Sequence, residues 1–327
     1  MRTASSHPVP SILLSVLIGV MGSKAVLADS SEEWIPDANA TPANPDDLTI
    51  EQCLQMPREN LDFGVLNVDS IEQWSGLEDW QFMTNTDYLA LGLDENGPAY
   101  LRQKLEPTHK GSIHVVGKGV LAPSRTYSIT QSVYLEPDFD WGGKNEGGKL
   151  GFGLGGGSTP TGGNLYQDGF SARLMWRGNK DGTARLAVYA YSSDRNQNLP
   201  YGDDYPLQDF EVPVGEWFKI TMEVTSNSST GASDGAVRVW ANDQLKLYRD
   251  NIHWQAAGSQ PVVDHIMFAT FHGGNSSSWA PDHTVFARFS SVCWQPTEYT
   301  PPLLDEHGMP IVDGNMLVQH VDGPSHP

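Results

Sequence analysis

The chain has 327 residues, with 20 Lys and Arg against 40 Asp and Glu for a net charge of −20, and it carries 33 Gly, 22 Pro and two Cys. That length is enough for one large domain with a buried core, and the acidity excludes a general affinity for nucleic acid or for anionic membrane surfaces. With 39% hydrophobic residues and ten Trp the chain is too apolar to be disordered. Gly and Pro at this density break long helices, so an all-β fold is expected.

Residues 1–28 hold Arg2, an apolar stretch from Ile12 to Met21 and small residues at Val26 and Ala28. This pattern reads as a secretory signal peptide, and the apolar stretch is half the roughly 20 residues a spanning helix needs. The expectation is an exported protein with no membrane segment in its mature form. Removing the signal takes Arg2 and Lys24 and no acid, so the mature chain becomes more acidic. In an oxidising compartment the two cysteines, Cys53 and Cys293, are expected to form one disulfide closing a loop of about 240 residues. Residues 29–60 are acidic and Pro-rich (Pro36, Pro42, Pro45, Pro57) and read as a linker or arm.

From 61 to 297 the periodicity is mostly two, the signature of strands with one face on a core. Strands are predicted at Tyr127–Leu135, Phe170–Arg177, Leu186–Tyr191, Trp217–Val224, Ala236–Ala241, Asp264–Phe271 and Thr284–Trp294. The turn sequences Asn179–Gly182, Ser233–Gly235 and Ala241–Asp243 separate several of them. The expected architecture is an antiparallel two-sheet β-sandwich of jelly-roll type with a substrate groove on its concave sheet. Residues 298–327 read as a Pro-rich tail in which Ile311–Val321 could add an edge strand.

Strand parity supplies the first functional signal. Ser171, Arg173, Met175 and Arg177 share one face, as do Tyr189 and Tyr191, and the opposite faces of both segments are apolar. A charged and aromatic set on a sheet face can line a sugar groove or be an ordinary solvated face. The glycine run around Lys149 is not a nucleotide loop, because the lysine precedes the glycines and no Gly-Lys-Ser/Thr closes them. Glycine there is expected to let backbone approach a ligand or a neighbouring sheet. The spaced acids Glu136, Asp138 and Asp140 resemble those of sandwich-fold β-glucanases, but Pro137 interrupts the strand that would display them, so a polar strand end is expected. The histidines show no metal-ligand spacing, and no Gly-x-Ser-x-Gly elbow is present. No metal and no cofactor are expected.

Gly148-Lys149-Leu150, then Gly169-Phe-Ser-Ala-Arg-Leu-Met-Trp-Arg177, then Val188-Tyr-Ala-Tyr191 occur in an order that resembles polysaccharide lyase family 14, the alginate and glucuronan lyases. The likeness continues through Gly215-Glu-Trp217, Val239–Asn242, Phe271-His-Gly-Gly274 and Trp279-Ala-Pro281. The resemblance implies a β-jelly roll, depolymerisation of an acidic polysaccharide by β-elimination, and functional residues at Lys149, Ser171, Arg173, Tyr189 and Tyr191. Two departures stand out: Leu150-Gly-Phe-Gly-Leu154 replaces a proline-containing segment, and His272 sits where an aromatic residue is common.

Eliminating across a 4-linked uronate requires neutralising the carboxylate, removing the C5 proton and protonating the departing O4. Tyr191 is expected as principal proton shuttle with Tyr189 supporting it, and Arg173 and Lys149 as carboxylate partners. Lys149 is alternatively the base, since burial beside Arg173 would lower its pKa. Ser171, Lys144, Arg177 and His272 are expected to bind substrate. A non-catalytic carbohydrate-binding module or lectin on the same sandwich is the competing reading, and a structural or adhesive secreted protein is a third.

Overall fold

The computed structural model describes residues 51–298, apart from 78–79, 81–83, 95–96, 144–145, 165 and 197–200, together with Leu303, Asp305 and Ile311. The expected signal peptide, most of the acidic arm and nearly all of the tail, with its possible edge strand, lie outside the described residues. The chain folds as a two-sheet antiparallel β-sandwich. One sheet has the order Gln244–Ile252, Gly235–Ala241, Trp217–Thr225, Thr126–Leu135, Val285–Pro296, Ala99–Leu105 and Leu89–Leu93, and Gln52–Cys53 pairs with Val285–Pro296 as well. The other, which carries the groove, has the order Asp203–Glu211, Ala184–Tyr191, Gly169–Gly178, Gly147–Lys149, Val263–His272 and Val115–Ser124. Phe152–Gly157 continues the Gly147–Lys149 strand between the same two neighbours.

All seven predicted strands are present, with ends within two residues of those expected. The turn at Asn242–Asp243 has both residues at positive φ (48° and 65°), the conformation a two-residue hairpin needs to match strand twist. One short helix, Val68–Ser75, was not foreseen. Asn67 caps its first turn by accepting from the Ser70 amide, Gly76 ends it in the left-handed region, and Ile71 and Trp74 anchor it to the core.

Inward-facing residues of both sheets fill the core. Phe152 and Phe268 from the groove sheet meet Phe289 from the opposite one, with ring centroids 4.8 to 6.3 Å apart. Two buried glutamines also cross the core. Gln103 donates to the Thr270 carbonyl, and Gln131 donates to the Phe152 carbonyl while accepting from the Phe152 amide. Gln131 is paired through both its oxygen and its nitrogen, whereas the Gln103 oxygen is buried without a partner; the bonds that are made favour one alignment of the sheets, because a shift would leave further amides unpaired in a low-dielectric interior.

Glu136 ends a strand of the sheet opposite the groove and pairs with Arg102 and Arg288 at 2.8 and 2.9 Å, so it serves the strand end, as the interrupted acid pattern indicated. Cys53 and Cys293 are disulfide-bonded and are register partners in the pairing of Gln52–Cys53 with Val285–Pro296. Leu54 is buried immediately after, so the end of the expected arm is tied into the sheet. Among the described residues no helix is long and apolar enough to cross a membrane.

The bridge spans 240 positions of sequence. Replacing both cysteines by serine should lower unfolding free energy in chemical denaturation by about 4 kcal/mol, with the secondary structure retained at room temperature.

Candidate active site

The register of the groove sheet sets the site. Met175 lies opposite Lys149 on one side and Ala187 on the other, Phe271 lies opposite Lys149 on the far side, and Arg173 lies opposite Tyr189. Lys149, Arg173, Met175, Tyr189 and Tyr191 therefore project from one face, and all line a groove of about 790 Å³. The arginine-bearing and tyrosine-bearing strands are antiparallel neighbours, paired from Ser171 with Tyr191 to Gly178 with Ala184.

The glycine run has a specific steric purpose. A Cβ on Gly148 would lie 2.1 Å from the fully buried indole of Trp176, and one on Gly156 would lie 2.6 Å from the Phe170 ring. On the groove face, a Cβ on Gly147 would meet Arg177 at 3.1 Å and one on Gly153 would meet Arg173 at 3.2 Å. At Gly147, Gly153 and Gly156 the nearest obstacle to a Cβ is a backbone carbonyl, of Trp176, Ala172 and Val262, at 2.1, 2.5 and 2.0 Å, so the run admits both close backbone and the large side chains beside it. At Gly151, φ is +70° and the strand bends. The bend is fixed by the Gly151 amide donating to Thr270 Oγ1, by the Gly151 carbonyl accepting from Ala269, and by Gln131 on Phe152. A bulge of this kind re-aims the strand and fixes where Lys149 emerges.

Lys149 is 5% exposed and Arg173 7%. Among the described residues neither forms an ion pair with a carboxylate, and the Arg173 Nε has no hydrogen-bond partner. The Lys149 ammonium lies 3.5 Å from the centroid of the Tyr189 ring and donates to Met175 Sδ at 2.9 Å. Neither partner carries a formal charge. Burial, then the positive charges of Arg173 and Arg177, push the Lys149 pKa well below its ordinary value, against a smaller opposing pull from Asp204. Burial also lowers Arg173, to about 10, so it remains cationic at neutral pH.

The tyrosines meet edge to face, with ring centroids 5.6 Å apart. Tyr191 Oη accepts from the Gly163 amide at 2.9 Å, and Tyr189 Oη accepts from the Gly202 amide at 3.1 Å. Two rim loops thus orient the two phenols, whose hydroxyls also share a hydrogen bond with each other. Burial, then the neighbouring Tyr191, raises the Tyr189 pKa.

Arg177 also lines the groove, but its charge is committed to Asp204 through two bonds of 2.8 and 3.1 Å. Lys144 lies outside the described residues. Two expected substrate contacts need correction. Ser171 is on the correct face but fully buried, because the loop after Gly157 covers it and its hydroxyl donates to the Pro160 carbonyl at 2.7 Å. His272 is fully buried on the opposite face of its strand, where Nε2 donates to the Asp140 carbonyl at 2.7 Å and its ring packs against Phe139 and Trp176. Burial lowers its pKa to about 4, so it is a neutral core histidine. The groove instead gains His114, Lys118, Tyr201 and Trp279, which no sequence pattern had placed there.

Residues 103–292 match the family model of polysaccharide lyase 14, which is more than half of the chain. The chain belongs to the polysaccharide lyase 14 family. The competing reading of a non-catalytic sugar-binding module gives way to a polysaccharide lyase. Among solved structures, alginate lyase Aly36B, determined as a variant in complex with alginate tetrasaccharide, superposes with a TM-score of 0.63 at 18% identity, covering 76% of this chain and 97% of that one. The PL-14 alginate lyase from Aplysia kurodai gives 0.56 at 21% identity, covering 73% and 98%. Alginate lyase vAL-1 from Chlorella virus gives 0.54 at 19%, covering 73% and 99%. At these identities the structures establish a shared fold. A search of curated proteins finds no match.

A buried lysine without a carboxylate partner opposes folding while it is protonated. Lys149→Met, close in length and apolar, should raise stability at neutral pH by about 1 to 4 kcal/mol. Because the folded-state pKa is depressed, the gain should be full below that value and shrink as pH rises toward the unfolded lysine value near 10.4. Urea titrations of both proteins across this range check it.

Proposed function

We propose that this protein is a secreted lyase that cleaves 4-linked polyuronates, alginate or glucuronan, by β-elimination. The observation that carries the reading is the pair of buried cations, Lys149 and Arg173, set beside two oriented phenols in one groove. Cations without local counter-ions suit a substrate that supplies a carboxylate at every ring. The disulfide, which persists in oxidising compartments, supports export through the signal peptide.

Arg173 is assigned to the carboxylate at the cleaved residue. Neutralising that group makes the C5 proton removable, since the developing enolate charge spreads onto the carboxylate oxygens. Lys149, a buried cation whose depressed pKa lets it give up its proton at low cost, takes the C5 proton in the neutral amine form so produced. The C5 electron pair then forms the C4–C5 double bond as the C4–O4 bond breaks, and Tyr191 gives its phenolic proton to O4. Tyr189 supports Tyr191 and carries Lys149 against its ring. Proton return from lysine to tyrosine resets the site. The side chains present supply charge neutralisation and both proton transfers, so the scheme calls on no metal. A variant scheme, with Tyr191 both taking and giving the proton and Lys149 acting only as a cation, is distinguished by the tyrosine substitution at alkaline pH. If Lys149 is the base, added phenol restores the acid function to Tyr191→Phe alone.

Incubation with alginate and, separately, with glucuronan should produce the ultraviolet absorbance of a conjugated unsaturated uronate on at least one polymer. Tyr191→Phe should lower kcat by about 10² to 10⁴-fold with polymer binding retained. Reducing ends without that absorbance would mean hydrolysis and would overturn the reading. The reading includes endolytic cleavage, which should give oligomeric rather than monomeric first products.

The acidic body should repel a polyanion at long range, while the groove attracts it locally through Lys118, Lys149 and Arg173. Initial rates should therefore rise from very low salt to about 0.1 M as the longer-range repulsion is screened. A rate that falls steadily from the lowest salt upward would contradict this charge distribution.

A further inference from the structure

His114 lines the same groove as Lys149 but has no part in the scheme above. Its imidazole lies face to face on the Phe271 ring, with centroids 3.8 Å apart and planes 21° from parallel. Phe271 is the register partner of Lys149, so the stack stands beside the lysine. The backbone there is held: Asn85, at φ 55°, donates from Nδ2 to the His114 carbonyl, and the Thr84 amide donates to the Val116 carbonyl. Among the described residues neither ring nitrogen of His114 has a hydrogen-bond partner. The residue is thus a positioned imidazole with one donor and one acceptor open to the groove.

A carboxylate only accepts hydrogen bonds, and Lys149 and Arg173 already offer donors to it. A sugar hydroxyl both donates and accepts, which matches a neutral imidazole. Desolvation at the groove wall, and then the charge of Lys149, lower the His114 pKa and favour that neutral form. Building on the polyuronate reading, we infer that His114, seated on Phe271, forms a subsite for a ring hydroxyl of the uronate bound at or next to the cleaved linkage. In a 4-linked uronate the hydroxyls left free are those on C2 and C3, so this subsite discriminates against polymers acylated at those positions.

The test uses mature wild-type protein, His114→Ala and His114→Gln, with the cleaved polyuronate in unmodified and O-acetylated forms, following the unsaturated product. On unmodified polymer, His114→Ala should raise KM by about 3- to 10-fold, the range for losing one neutral hydrogen bond, with kcat changed less. Wild type should prefer the unmodified polymer, His114→Ala should lose most of that preference, and His114→Gln, which can also donate and accept, should keep part of it. An active wild type together with an alanine variant of unchanged KM and unchanged preference would overturn the subsite and leave the lyase reading standing. A wild type that forms no unsaturated product on either polyuronate would overturn the lyase reading, and this inference with it. Circular dichroism of both variants separates a binding loss from a folding loss.

Discussion

The structure depends on holding a lysine and an arginine inside a sheet surface without giving either a carboxylate. Lys149 is met by a thioether and an aromatic face, and Arg173 is left with an unpaired Nε. Both arrangements oppose folding, because desolvating a charge is only partly offset by polarisable neighbours. The rest of the fold supplies the offset. A continuous aromatic and aliphatic core, two core-crossing glutamines and a long-range disulfide hold the sheet rigid enough that the cations cannot turn out into solvent. Asp204, an acid whose charge pulls the Lys149 pKa upward, is held by Arg177. Arg177 thus acts less as a substrate ligand than as a guard on the acid.

The glycine run answers a packing need. Large residues alternate along Gly169–Gly178, with Phe170 and Trp176 toward the core and Arg173 and Arg177 toward the groove. They fit because the strand alongside offers glycine at the matching positions. One sequence feature therefore permits both a well-filled core and a groove whose floor is close to backbone. The bend at Gly151 adds the last element, since it sets the direction in which Lys149 leaves its strand.

Most of the fold was legible because its strands alternate strictly, and alternation reports which face is buried. The glycine strands, and Val115–Ser124 with its interspersed glycines, carry too little side chain for that signal. The site was legible to the same depth. Parity placed Arg173, Tyr189 and Tyr191 correctly, and also placed Ser171 on the right face, but parity within a strand says nothing of a loop folding over it. For His272 the signal was present: it alternates with Phe271, which faces the groove, so it had to face the core. His114 and Trp279 lie outside the strands and reach the groove through long-range packing, which a single sequence does not encode locally.

The central claim, that the buried-cation groove performs elimination, is tested most directly by mass spectrometry of the fragments released from a polyuronate. The account predicts fragments bearing a new unsaturated end, each lighter by one water than the corresponding hydrolysis product. Fully saturated fragments, or polymer left intact by correctly folded, disulfide-bonded protein, would contradict it.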